Sequence, residues 1–567
     1  MAGCLGLSAR KYLKEEFMKK IICVALAITL VASFAMAQNK PVTGNGPAVK
    51  APANRGTVID TPFYAKKPIK VSMLFSDSPY YPYKDTWTVF KSIKTATNVE
   101  IDPMLVPQSE FSNKRNLLLS SGDAPYIICK TYAGSEVPFI ASGSVLPISD
   151  YINEMPNFKA AVKAWGMEND IKNILTQADG KYYMLPGMHE TFAMDYSYVI
   201  RTDILKKLNL PLPQTYDELL TTLRALKKAY PDVIPYNDRW QLGWALQVAG
   251  PAFGCGLSGV KAVNDWNNNF TLIQNDKTKA LQFYATTDAY KNELKYFANL
   301  VKEGLLDPES CTQQDDPAIT KFVNGQSFLI AGNGQELARY RTKMDAILGA
   351  GKYEIAQLNI LGGPAGRNLM GNRLESGIML TAKIKKDPNF KEILHFIDWL
   401  FYSYSGQELC KWGVEGTTYT FSNGQYAPAA GWCLPSYGFN AINAADKDFR
   451  VEFGYSSGNI ILSYGGPKQL QYSLMPAEKR AFVEQVNKAV KILPVPPTVL
   501  YDEDQLETQN MLRGPLMDYV YQMTYKFILG QADIDKDWGT YVKECSTKGA
   551  DKFVKTANEV YAKQIKK

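Results

Sequence analysis

Three short apolar runs with helical spacers between them constrain the fold of this chain more than any other feature. "IKVSMLF" places Ile69, Val71, Met73 and Phe75 on one face, as the two-residue period of a strand requires. "NVEIDPMLV" and "YIICKTY" have the same strand character, and a helix over residues 109–121 fills the second gap. Strand, helix, strand, helix, strand is the signature of a doubly wound parallel sheet, because parallel neighbours need a crossover and a helix supplies it. Ligands of such sheets sit beyond the carboxyl ends of the strands. "SDSPYYPY" after the first strand, and Thr131 and Tyr132 at the third, are therefore expected to face a cleft.

Downstream the pattern turns helical. "TYDELLTTLRALKKAY" opens with Thr215 three residues before Glu218, a capping box, and puts Leu219, Leu223 and Leu226 on one face. "YKNELKYFANLVKEG" aligns Leu294, Phe297 and Val301 and stops at Gly304. "KEILHFIDWLF" aligns Ile393, Phe396, Ile397 and Leu400, with Trp399 in the core and His395 as a packed helical residue. A sheet-first, helix-later chain of this length predicts two lobes.

The start of the chain predicts export. In "KKIICVALAITLVASFAMAQNK" two lysines precede an apolar run of about 14 residues that ends at Ala35-Met36-Ala37, the small-x-small pattern of a signal-peptidase site. Spanning a bilayer takes about 20 apolar residues. Cys23 lies at the start of the run, so no lipid-attachment cysteine follows it. The reading is a signal peptide over 1–37 with its start at Met18, cleaved after Ala37, and a flexible tether over 38–68, rich in Pro, Gly, Ala and Asn. Removing 37 residues takes the net charge from +7 to +4. With no basic tract, this near-neutral balance argues against nucleic acid as a partner. None of Cys129, Cys255, Cys311, Cys410, Cys433 and Cys545 forms a C-x-x-C pair; Cys410 with Cys433 is the nearest candidate disulfide, and buried free thiols are the other reading. His189 and His395 are the only histidines, too few for a multi-His metal site, and no P-loop pattern is present.

Several stretches, taken in order, resemble one family: "SSGDAPYIICKTY", "SGSVLPISDYI", "DGKYYMLPG", "YVIRTDILKKLNLPLPQTYDELLTTLRALKK", "LVKEGLLDPES", "FVNGQ", "FIDWLFYSYSGQELCKWGVEGTTYTF" and "KFILGQADIDKDWGTYVKECSTKGADKFVKTANEVYAKQ". Together they resemble the extracellular solute-binding proteins of bacterial ABC importers, in the large sugar-binding branch related to maltose- and alginate-oligosaccharide-binding proteins. The resemblance implies an α/β, two-lobed periplasmic-binding-protein fold, each lobe a doubly wound sheet flanked by helices, joined by three crossing hinge segments. It implies capture of an oligosaccharide by hinge closure and delivery to the transmembrane subunits of an ABC permease, by a monomer in the periplasm or outside the cell. The crossings are placed at "YYMLPGMHETFAMDYSYVIR", "LESGIMLTAKIKK" and "WGVEGTTYTF", with Gly187, Gly377, Gly413 and Gly416 as hinge points. The N-terminal lobe is then 69–188 with 377–412, and the C-terminal, helix-rich lobe 189–376 with 413–567. Some relatives carry a calcium loop after the "TYDE" helix; here "KKAYPDVIPYNDRW" offers Asp232 and Asp238 without a dense array of oxygen ligands, so no metal and no cofactor are expected.

Sugar rings present apolar C–H faces and many hydroxyls, so their sites combine flat aromatic surfaces with carboxylates, amides and arginines. Such mixtures occur at Asp77, Tyr80, Tyr81 and Trp87 after the first strand, and at Tyr132 after the third. They recur at Glu190 and Tyr196 (with Asp195) at the first crossing, at Arg373 and Glu375 at the second, and at Trp412 and Glu415 at the third. Trp240 and Trp244, four apart, would share one helix face. Aromatics are 12% of the chain and most must be core, so burial competes with ligand contact at each. Glu415 has a turn hydrogen-bonding role as its alternative, and Asp195 a role in holding the crossing together. An exported glycoside hydrolase, with Glu190 and Glu375 as a carboxylate pair about 5 to 10 Å apart, is the main competing function. No local motif supports acid–base tuning, and catalysis ranks behind binding. The same fold with a peptide or lipid-like ligand is the third reading.

Overall fold

The computed structural model describes residues 52–565 apart from 80, 194–195, 257–270, 276, 372, 438, 458–459 and 461–464. The expected signal peptide, Tyr80 and Asp195 lie outside the described residues.

The strands β1 (Ile69–Asp77), β2 (Val99–Pro107) and β3 (Ile127–Thr131) run parallel, with β1 in the middle. The sheet is completed to five strands by Leu374–Leu380 and then β4 (Met184–Met188), the former antiparallel to both of its neighbours. Val71, Met73, Ile127, Ile128 and Ile378 pack with Ile393, Phe396, Ile397 and Trp399 of the helix Phe390–Tyr402 in one core. At Gly377 a β-carbon would lie 1.8 Å from the Leu185 carbonyl oxygen, so this glycine permits close strand contact and is not a free hinge. His395 points away from that core, 3.1 Å from Glu154.

The second lobe starts at β5 (Ser197–Arg201), which pairs antiparallel with both Leu329–Gly332 and Ile355–Gln357. This three-stranded sheet is small, and helices form most of the lobe. The helix Tyr216–Ala229 is capped as predicted by Thr215, whose Oγ1 accepts from the Glu218 N–H at 3.1 Å, but the capping box does not close: the Glu218 carboxylate takes the N–H of Gln214, one residue before the cap.

Two segments depart from the sequence reading. The tether expected over 38–68 is packed from residue 52 onward. Arg55 is buried, with Nε 2.6 Å from Glu408 and Nη2 2.9 Å from Glu415, and its guanidinium lies 3.7 Å over the Phe421 ring. Asp60 accepts from both the N–H and the hydroxyl of Ser405. The second departure is the third crossing, which does not lie at 412–421. Gly413, at φ 86°, ends the helix Tyr404–Trp412 and turns the chain back. The hairpin Tyr419–Ser422 with Gln425–Pro428 then lays Tyr419 and Tyr426 on Trp412. Tyr419, Tyr426, Leu434, Phe449, Leu470 and Leu474 all belong to the first lobe's core. The chain leaves this lobe after Leu474. The helix Ala477–Ala489 packs Phe482 and Val486 against Phe192, Ile360 and Leu369, and Lys491–Leu493 pairs with Asn368–Met370. The helices Glu503–Ile528 and Ile534–Thr547 then join the second lobe through Leu516, Val520, Trp538 and Tyr541. Cys410 and Cys433 are both buried as thiols and are not paired with each other.

Candidate ligand-binding cleft

A cavity of about 730 Å³ opens at the carboxyl ends of β1, β2 and β3, where the parallel sheet directs it. The first lobe contributes Ser76, Gln108 and Tyr132 to it; the second contributes Leu272, Leu281 and, from the approach to the helix Glu503–Ile528, Tyr501, Gln509 and Arg513. The proline run 494–497 passes between the lobes along the cavity edge. Just beyond it the Thr498 N–H donates to the Asn173 carbonyl at 2.9 Å in the first lobe, and the Thr498 carbonyl accepts from Gln564 at 3.0 Å in the second.

Of the described candidates, Tyr132 lines this cavity. Burial and then the nearby Glu375 charge push its phenol up to about 12, against a hydrogen bond with Ser376, so it stays a neutral donor at ordinary pH. Glu375 lies 3.6 Å from His189 Nε2, so the polar ends of Tyr132, Glu375 and His189 meet where the first two crossings leave the sheet. Arg373 is structural. Its guanidinium donates to the Trp165 carbonyl at 2.8 Å, which ends the helix Pro156–Trp165, and to the Glu190 carbonyl at 3.1 Å. Glu190 is likewise engaged, its carboxylate accepting from the Lys468 N–H at 2.5 Å. Neither carboxylate of the Glu190 and Glu375 pair is therefore free of protein partners.

Tyr196 starts the second lobe and lies flat on Trp244, ring centroids 4.1 Å apart and planes 11° from parallel; Trp240 packs tilted at 6.1 Å. The two tryptophans meet Tyr196, but not from one regular helix. Trp240, Gln241 and Leu242 have φ of 46°, 56° and 61°, a left-handed turn leading into the helix Gly243–Phe253. Left-handed backbone costs roughly 1–2 kcal/mol per non-glycine residue. Arg239 holds the turn: buried, it stacks 3.9 Å over the Trp240 ring, ion-pairs with Asp315 and with Glu336, and donates to the Tyr340 hydroxyl at 2.9 Å. The Tyr196 hydroxyl and Arg239 Nη2 have no hydrogen-bond partner among the described residues. Asp238 accepts from Tyr236 and from the N–H groups of Arg239 and Ala331, and burial pushes its carboxyl up to about 6.

The remaining candidates serve the first lobe. Asp77 accepts from the Tyr83 N–H at 2.8 Å and orders the loop after β1. Tyr81 has the Arg450 guanidinium 3.7 Å over its ring. Trp87 is buried and donates to the Val451 carbonyl; Trp412 is fully buried and donates to Ser473. Both are core residues: each ring is packed within the first lobe's core and each N–H finds an internal acceptor. Glu415 pairs with Arg55. The sequence reading missed Arg115, Lys130 and Arg513 on the cavity wall. Arg115 sits in the polar stretch "SNKRN", which looks like an ordinary solvated helix face; the one available cue was the proline run before residue 498. Among the described residues no three His, Cys, Asp or Glu side chains gather as a metal site would need, and no helix is long and apolar enough to cross a membrane.

Residues 77–401 match the family model described as bacterial extracellular solute-binding protein. The chain is 24% identical to the fructooligosaccharide ABC transporter substrate-binding protein FusA of Streptococcus pneumoniae, over 94% of this chain and 97% of that one. It is 23% identical to the lipoprotein LipO of Bacillus subtilis, over 87% of this chain and 91% of that one. Among solved structures, the alginate-binding protein AlgQ2 without calcium superposes with a TM-score of 0.62 at 20% identity, covering 88% of this chain and 99% of that one.

Proposed function

This chain belongs to the bacterial extracellular solute-binding protein family, and from that premise we propose that it captures an oligosaccharide between its lobes and hands it to the transmembrane subunits of an ABC importer. The observation that carries the reading is the cavity at the β1–β3 strand ends with one wall from each lobe. A ligand touching both walls makes its full contacts only when the lobes are closed, and so favours that state. The FusA and AlgQ2 likenesses support a saccharide as cargo. Capture without chemistry is the proposed role, since Glu190 and Glu375 both hold protein partners. The protein is proposed to act as a monomer outside the cytoplasm after loss of residues 1–37; the likeness to LipO makes lipid attachment the point to check by intact mass.

Solution scattering with and without saccharides tests the mechanism, together with dyes at Ser144 of the first lobe and Lys277 of the second. A bound saccharide should shrink the radius of gyration and bring the dyes together, and mass spectrometry should find it uncleaved. A saccharide that binds without changing either observable refutes the closing clamp; turnover abolished by Glu190→Gln or Glu375→Gln refutes capture without chemistry.

A further inference from the structure

Arg115, Lys130 and Arg513 line the cavity, and no aspartate or glutamate does among the described residues. Arg115, in the helix Phe111–Ser121, is 8% exposed. Its one hydrogen bond goes to the neighbouring Asn116 side chain at 3.1 Å, and it has no carboxylate within ion-pair distance among the described residues. The acid that does act on it through space, Glu136, is fully buried behind the wall. Glu136 accepts from the Gly134 N–H at 2.9 Å and from the Gln177 amide, and burial pushes it up to about 7, which makes it a weak counter-charge.

Lys130 reaches the cavity from a position no lysine adopts cheaply. It sits in β3 at φ 51°, beside a register break between Gly377 and Met379 of the neighbouring strand. A non-glycine residue held there costs roughly 1–3 kcal/mol, and such strain collects at ligand sites. Arg513, in the long helix on the opposite wall, is also desolvated, which holds its guanidinium below the usual value. Arg115 and Arg513 are both desolvated on the walls of one cavity that Lys130 also lines, a cost that a hydroxyl-only sugar does not relieve and an oxyanion does. Guanidinium groups in particular match the paired oxygens of carboxylate and sulfate.

We propose that the cleft takes an acidic saccharide, one whose carboxylate or sulfate-ester group docks among Arg115, Lys130 and Arg513. This rests on reading the cleft as an oligosaccharide site. Calorimetry on the full chain should compare tri-galacturonate and tri-mannuronate with their methyl esters, a sulfated trisaccharide and a neutral one. An acidic sugar should bind at least about tenfold more tightly than its uncharged counterpart, as a charged hydrogen bond warrants, and the advantage should shrink with added salt. The carboxylate and sulfate arms identify which oxyanion is preferred. Arg115→Gln should collapse the acid-over-ester ratio. Lys130→Gly should do the same while keeping or raising the melting temperature, because glycine tolerates the left-handed backbone. Equal binding of acid and ester, or variants that leave the ratio intact, overturns the proposal; a neutral sugar that still closes the lobes would then leave the oligosaccharide reading standing. Failure of every saccharide to bind overturns both.

Discussion

The ring of Tyr196 covers one face of Trp244, 4.1 Å between centroids and 11° from parallel, so only the other face of Trp244 is left for any further contact. Tyr196 directly precedes β5, and this stack ties the two tryptophans to the start of that strand. Removing either tryptophan therefore tests two different things. If the tryptophans carry the proposed saccharide contact, Trp240→Ala should weaken binding by roughly 1–3 kcal/mol, and it should also lower the melting temperature, because the ring under Arg239 is lost. Trp244→Ala should also destabilise the fold by about 1 kcal/mol through the lost ring pair. Calorimetry and thermal melts separate the outcomes: unchanged affinity in both variants would make the platform purely structural.

Gly377→Ala should destabilise the first lobe by about 1–3 kcal/mol or more, because its β-carbon would meet the Leu185 carbonyl at 1.8 Å and force β4 away. Gly416→Ala makes the contrast: nothing lies within 4 Å of a β-carbon there, and only its φ of 77° opposes the change. Denaturant melts of the two variants should rank Gly377→Ala as the more damaging. The reverse order would restore Gly377 to the role of a hinge.

Arg55→Ala should cost on the order of 3–5 kcal/mol, the usual penalty for leaving a buried acid without its partner, here Glu408. Arg55→Ala combined with Glu408→Gln should recover part of the loss. A variant as stable as the parent would return residues 52–68 to the status of a tether.

Stability should fall as pH rises from the ordinary carboxylate range to about 7. Burial holds the proton of Glu136 up to about 7 in the folded chain, while the unfolded chain releases it near 4.5. The folded state thus binds the extra proton over that window, and its advantage is lost as pH passes through the upper value. Glu136→Gln keeps an acceptor for Gly134 without the titration, so its melting temperature should gain on that of the parent between pH 5 and pH 7.5. Parallel pH curves for the two proteins would show that Glu136 ionises freely.

The first lobe was largely legible because its strands obey local rules, with Val71 and Met73 buried where alternation puts them; Pro186 and Gly187 were read as a break and a hinge point, yet both lie inside β4, with Gly187 opposite Glu375. The third crossing was not legible. A glycine-flanked aromatic run such as 412–421 has the same composition whether it bridges two lobes or folds back as a hairpin, and only Tyr426, arriving later, decides it. Trp87 and Trp412 illustrate the same limit, since an indole beside a cleft and one beneath it are identical in sequence. The cavity cations were hidden for the opposite reason. A lone arginine on a polar helix usually faces water, and nothing near Arg115 in the chain announces that Arg513 will face the same space.

The strand Leu374–Leu380 lies between β3 and β4, although the whole β5 sheet is made before it. Until that strand is synthesised, β3 and β4 have no neighbour to join them, and the core around Trp412 still waits for Phe449 and Leu470. A lobe assembled from such distant pieces must close long loops before its contacts reward it, which slows folding. Synthesis begins with the first lobe, yet that lobe cannot complete its core before Leu474, and the second waits in turn for Leu516, Val520, Trp538 and Tyr541. Neither core can therefore close until most of the chain has been made, a consequence of strand order and not of any single contact.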